Sequence, residues 1–236
     1  MANLPKGNDA MTNSHPKIKT LLAALLWVGA CTVTHAFAGQ ATVIGNSITS
    51  KAFPVGSLTF VDPTFTYVGS TEFVLYDIAN CEIHVFAELD GIRVKRFYWV
   101  QFEGYLSGNN KTYDYRSNPK RSTIGGHAFH ERVWFRNTDP AQTKQRAGSD
   151  SAAVQKLFDD KGLKPGPEVM MIRLVRLDDA LRRELMIIYA ENLDLYATPG
   201  SAAADFNEGG KLFTQREAMT DGLRQRALAG IRMEMK

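Results

Sequence analysis

Cysteine is nearly missing from this chain: there are two in 236 residues, Cys31 and Cys81. A disulfide framework is therefore excluded as the source of stability, and a Cys-x-x-Cys redox or zinc element is excluded with it. Histidine is scarce beyond residue 38, where only His84, His127 and His130 occur. No G-x-S-x-G elbow, phosphate-binding loop, G-x-G-x-x-G turn or H-E-x-x-H element is present, so the common nucleophile, nucleotide and zinc-hydrolase signatures are absent. Beyond the first 38 residues no apolar run is long enough for a helix to cross a bilayer.

The exception is near the start. From Leu21 the chain reads LLAALLWVGACTVTHAFA behind Lys17 and Lys19, and it ends on the small-x-small triplet Ala36-Phe37-Ala38. A basic stretch, a short apolar core and such a triplet predict a signal peptide over 1–38 and a single exported domain over 39–236. Met11 offers an alternative start. Within the same stretch Val28-Gly29-Ala30-Cys31 resembles the bacterial lipobox. That resemblance implies, as an alternative, a lipoprotein signal over 1–30 with Cys31 lipidated and the protein held at the membrane. The apolar TVTHAFAGQATVIG after Cys31 is unlike a flexible polar tether, so soluble export to the periplasm or medium is the preferred reading. Either way Cys81 is left alone, and is read as a small buried hydrophobe.

Net charge is also scarce. Residues 1–38 carry three Lys and one Asp, so removing them takes the formal charge from +3 to +1. A nearly neutral exported protein excludes nucleic acid as a natural partner. The charge is unevenly spread, however. Residues 39–90 hold one Lys against six acids, and residues 91–146 hold eleven Lys and Arg against four acids. Such asymmetry points to an anion-facing surface or to complementary strands within one sheet.

Period-two apolar runs predict strands at 58–61, 72–78, 80–89, 129–136 and 168–177, with a return strand over 182–189 and a short strand at 112–115. Val154, Leu157 and Phe158 share a helical face, as do Met219, Leu223, Ala227 and Ile231. The expected fold is α+β, a single domain with a mostly antiparallel β-sheet and two helices, about 150–161 and about 215–233, packed on one face. Asp90-Gly91 between apolar runs predicts a two-residue hairpin turn with Leu89 opposite Ile92. In that register Ile83, Val85 and Ala87 face the core with Val94, Tyr98, Val100 and Phe102. Arg96 would also point inward, which requires an acidic partner or a bulge.

His127 and His130 stand three apart, as helical metal ligands do. Their surroundings alternate with period two, which places them on opposite faces, so no metal is expected, and no cofactor either. Cys81 and His84 are likewise split, which disfavours a Cys–His dyad. What remains is a surface. His130, Arg132, Trp134 and Arg136 share one face of their strand, and Arg93, Lys95, Phe97 and Trp99 have the same basic-aromatic character. Tyr113, Tyr115, Arg116, Lys120 and Arg121 are placed to border them. Aromatic rings that stack on a sugar, with arginines that grip a carboxylate or phosphate, suit an anionic envelope glycan, lipid or protein partner. The competing reading makes the aromatics a second core under a helix, with Arg snorkelling past. The expected function is thus an exported, non-catalytic binding protein with Arg93, Lys95, Trp99, His130, Arg132, Trp134 and Arg136 as ligand-binding residues. The alternative is an envelope hydrolase or lyase in which His84, His127 or His130 meets Glu82, Glu131 or Glu191. His84 and Glu82 are the pair that the strand pattern puts on one face.

Overall fold

The structure is a computed structural model that describes residues 40–53, 55–139, 141–143 and 146–235. Residues 1–38, where a signal peptide is expected, and Cys31 within them lie outside the described residues. Two antiparallel sheets dominate. The small one has the order β1 (Ala41–Ile44), β2 (Ser47–Ser50), β3 (Val55–Phe60) and β12 (Ile231–Met235). The large one runs β4 (Thr66–Leu75), β5 (Ala79–Asp90), β6 (Arg93–Tyr105), β11 (Arg183–Asn192), β10 (Glu168–Leu177), β8 (His127–Asn137) and β7 (Arg121–Ile124). A two-residue strand, β9 (Lys164–Pro165), lies parallel to the start of β6. The helices are α1 (Asp150–Asp160) and α2 (Arg216–Ala229).

The α+β class holds, but the helices do not share a face. On one side of the large sheet, Phe86, Tyr98, Val100, Ile172 and Ile187 meet Leu58 and Phe60 of the small sheet and Leu223 and Ala227 of α2. On the other, Val85, Trp99, Met171 and Ile188 meet Val154, Leu157 and Phe158 of α1. The central strands are therefore buried on both faces. This explains why EVMMIRLVRL and RELMIIYAEN read as near-continuous apolar runs rather than clean alternations.

The β5–β6 register also differs from expectation. Gly91 and Ile92 form the turn, with Asp90 opposite Arg93. Gly91 has φ +58°, which suits a turn with glycine at its first central position rather than its second. A bulge follows: Leu89 pairs with Val94, but Glu88 pairs with Arg96, leaving Lys95 unpaired. Past it, Ala87 faces Phe97 and Val85 faces Trp99, so Ile83, Val85 and Ala87 share a core with Phe97 and Trp99, not with Tyr98 and Val100. The inward Arg96 has both the bulge and the partners it requires: its side chain bonds Glu88, and its Nη2 donates to Asp62 Oδ2 at 3.0 Å.

At the C-terminus the helical pattern stops early. Ile231 and Met233 are buried strand residues paired to β3, not the last turns of α2. Gly230 marks the change, since a Cβ there would lie 2.2 Å from the Tyr98 hydroxyl. The expected strand at 112–115 is absent, and its residues form a loop that is pinned down by Arg182, whose Nη1 donates to Lys111 O at 2.9 Å.

Candidate functional site

Helix α1 leaves part of its side of the sheet to β10 and β8. There the antiparallel register sets Arg132 directly opposite Arg173, Trp134 opposite Met171 and His130 opposite Val175. Directly opposed like charges destabilise a strand pair, and neither arginine has an acidic partner within ion-pair distance among the described residues. Arg132 is exposed, while Arg173 and Trp134 are half-buried. The Arg173 guanidinium lies 5.4 Å from the centre of the Tyr115 ring, and Tyr115 packs 5.1 Å from His130. An open groove of about 360 Å³ lined by Thr112, Tyr113, Asp114, Tyr115, Arg116, His130, Leu177 and Leu181 adjoins them, and Arg116 there is paired with Asp114. The segment between β6 and β7 borders this basic-aromatic surface through Tyr113, Tyr115 and Arg116.

The expected members from β6 fall elsewhere. Strands β11 and β10 stand between β6 and β8, a separation of about 14 Å at the usual strand spacing. Trp99 is 3% exposed beneath α1, its Nε1 donating to Gln101 Oε1 at 3.0 Å. It is a core residue, as the packing alternative held. Lys95 Nζ donates to Glu88 Oε1 at 2.6 Å, and Arg93 pairs with Asp194. Of the seven, Trp99 and Arg136 meet only at a crevice beside Phe158 of α1. Arg173 was missed because charges inside an apolar strand read as interruptions. An arginine in the middle of EVMMIRLVRL, on the same strand face as Met171 and Val175, is itself the signal that could have found it.

No family model, curated protein or solved structure matches the chain. Its chemistry must be read from its own geometry.

Next to this surface lies a pair of buried acids. Glu103 of β6 and Glu184 of β11 are directly opposite. Tyr113 Oη donates to Glu103 Oε1 at 2.7 Å, Tyr115 Oη to Glu184 Oε2 at 2.9 Å, and Gln101 Nε2 to Glu103 Oε2 at 2.6 Å. Burial and the charge of Glu103 push Glu184 up to about 8, and burial also raises Glu103. Tyr115 therefore touches both the acid pair and the arginine surface. Burial and nearby Arg121 lower the pKa of His130, whose buried Nδ1 has no hydrogen-bond partner among the described residues.

Of the three histidines and three acids weighed for catalysis, one pairing forms. His84 Nε2 lies 3.0 Å from Glu82 Oε1, and His84 Nδ1 lies 3.1 Å from Tyr67 Oη, so His84 bridges Tyr67 and Glu82. Glu131 and Glu191 are engaged otherwise. Arg224 Nε and Nη2 donate to Glu131 Oε1 at 3.0 and 2.7 Å, and Arg226 Nε and Nη2 donate to Glu191 at 2.7 and 2.6 Å. Burial acts to raise the Glu131 carboxyl, but the bonds from Arg224 and Ser122 outweigh it and leave it lowered. These two acids anchor α2 to the sheet. His127 and His130 lie at odd and even positions of β8 and so on opposite faces. No three His, Cys, Asp or Glu side chains converge as metal ligands among the described residues.

Proposed function

We propose that this is an exported, non-catalytic protein that binds an anionic component of the cell envelope on the Arg132–Arg173–Trp134 surface, in the periplasm or outside the cell. One observation carries the reading: two arginines are held opposite each other beside a half-buried tryptophan, with no acid within ion-pair distance of either among the described residues. An incoming carboxylate or phosphate relieves their repulsion and accepts charge-assisted hydrogen bonds, while Trp134 offers a ring face. No described helix is long and apolar enough to cross a membrane. A lipid anchor on Cys31 is the alternative route to the envelope.

The test is native mass spectrometry of the protein extracted from its own envelope, followed by titration of Trp fluorescence with an acidic oligosaccharide and with phosphatidylglycerol vesicles. Losing one charged hydrogen bond costs about 1.5–3 kcal/mol, so Arg173→Ala should weaken binding roughly tenfold or more. Equal binding by wild type, Arg132→Ala and Arg173→Ala would sink the proposal.

The Tyr67–His84–Glu82 chain supports a second reading, an envelope hydrolase with His84 as general base. Turnover abolished by His84→Gln, with folding intact, would favour it.

A further inference from the structure

Helix α1 does not seal its side of the large sheet. Along it a crevice of about 50 Å³ opens onto Phe97, Trp99, Phe158, Val169 and Met171, with Arg136 in its wall. Phe158 stands edge-on to Phe97, 5.2 Å between ring centres, and Pro165 of β9 lies alongside. The other polar side chains at the crevice are already engaged within the fold. Thr138 Oγ1 donates to the Gly166 carbonyl at 3.1 Å, Ser151 Oγ to Asp150 Oδ1 at 3.5 Å, and Gln155 Nε2 to Asp159 Oδ1 at 2.9 Å. Arg136 differs. It is half-buried, and no acid lies within ion-pair distance of it among the described residues. The β8–β10 register sets Arg136 opposite Val169 and Trp134 opposite Met171. The crevice and the arginine–tryptophan surface therefore meet at the Trp134–Met171 pair.

We propose that this crevice takes the alkyl chain of a free fatty acid whose carboxylate lies on Arg136, an inference that rests on the reading that this face binds an envelope anion. The wall selects both halves of the ligand. Its rings, thioether and branched carbons offer an alkyl chain apolar contact, whereas a sugar would lose its water there without replacement hydrogen bonds. The guanidinium of Arg136 presents parallel N–H donors that match the two oxygens of a carboxylate. One cation without an acid partner calls for one anionic head. A crevice of about 50 Å³ holds the end of one chain and not two, so the occupant is a single-chain amphiphile taken up from solution rather than a bilayer surface.

The experiment titrates the protein by calorimetry with acetate, butanoate, hexanoate, octanoate and decanoate, each below its micellar concentration, and in parallel with phosphatidylglycerol vesicles. Kd should fall about fourfold for each methylene buried and level off once the crevice is full. Arg136→Gln should weaken octanoate binding about tenfold or more, as expected for the loss of a charged hydrogen bond. Ser151→Phe places a ring in the crevice and should reduce octanoate to the affinity of acetate. If Ser151→Phe does not fold, the wild-type series and Arg136→Gln decide the matter. Acetate bound as tightly as octanoate overturns the chain site while an anion-binding face stands. Binding to the vesicles but to no free carboxylate does the same. Octanoate binding that Arg136→Gln leaves unchanged, or a chain-length dependence that Ser151→Phe leaves intact, places the ligand elsewhere and overturns the inference. A protein that binds neither the carboxylates, nor the vesicles, nor an acidic oligosaccharide overturns both readings.

Discussion

Replacing Glu184 by glutamine should change how stability depends on pH, and the sign follows from the geometry. Glu184 is 3% exposed and sits opposite Glu103, and its pKa in the folded protein rises to about 8. An unfolded glutamate ionises in the ordinary carboxylate range. Between that range and about pH 8 the folded state therefore holds a proton that the unfolded state has lost. Stability must fall as pH rises through this window. The gap of three to four pH units corresponds to a ceiling on the order of 4–5 kcal/mol, and Glu103 adds a loss of the same sign. His130, its pKa lowered by burial and Arg121, acts oppositely, losing stability as pH falls through the histidine range. Glu88, Glu131 and Asp178, held below their ordinary values despite burial, lose stability as pH drops through the carboxylate range, below the window of interest. Urea unfolding at pH 5.5, 7 and 8.5 separates these terms. Wild type should weaken across the three, while Glu184→Gln, which accepts from Tyr115 without ionising, should flatten the profile and be the more stable protein at pH 8.5. A wild-type profile that rises across the window, or a variant that keeps the wild-type slope, would refute the reasoning.

Trp99→Ala should cost about 3–5 kcal/mol in urea unfolding because it empties the core under α1. Trp134→Ala should cost clearly less and instead abolish ligand-dependent change in fluorescence. Gly230→Ala should lower stability by about 1–3 kcal/mol, since its methyl group must displace the Tyr98 hydroxyl from Ala227 O. Calorimetry should show a lower Tm, and Tyr98→Phe in the same background should recover part of it. Arg226→Ala leaves Glu191 buried without its cation and should cost about 3–5 kcal/mol. In a double-mutant cycle, adding Glu191→Gln should return much of that loss.

The strands, the first helix and the second helix's start were legible because each carries a local signal. The runs at 168–177 and 80–89 are rich in apolar and β-branched residues, Val154, Leu157 and Phe158 recur at helical spacing in α1, and Gly162 follows its end; the cap is Ser149, one residue before the Asp150-Ser151 pair that the sequence suggests. Of the small sheet, only β3 was legible, from the run at 58–61. Ala41–Ile44 and Ser47–Ser50 are four-residue segments whose apolar positions gain meaning only against Phe60, Phe86 and Tyr98. The candidate surface was half legible. His130, Arg132, Trp134 and Arg136 follow from period two within one strand, but the choice between β6 and β10 as their companion depends on strand order.

Composition and spacing by themselves determined that this is a mostly antiparallel α+β protein without a disulfide framework, with Arg132 and Trp134 on one face and Glu82 beside His84. Those facts are local: alternation along a strand and the turn preference of glycine need no distant partner. Tertiary structure alone decided that Trp99 is core, that Arg173 stands against Arg132, and that Glu103 and Glu184 meet. Each depends on which strands become neighbours, and a single bulged residue, Lys95, re-registers every pair beyond it.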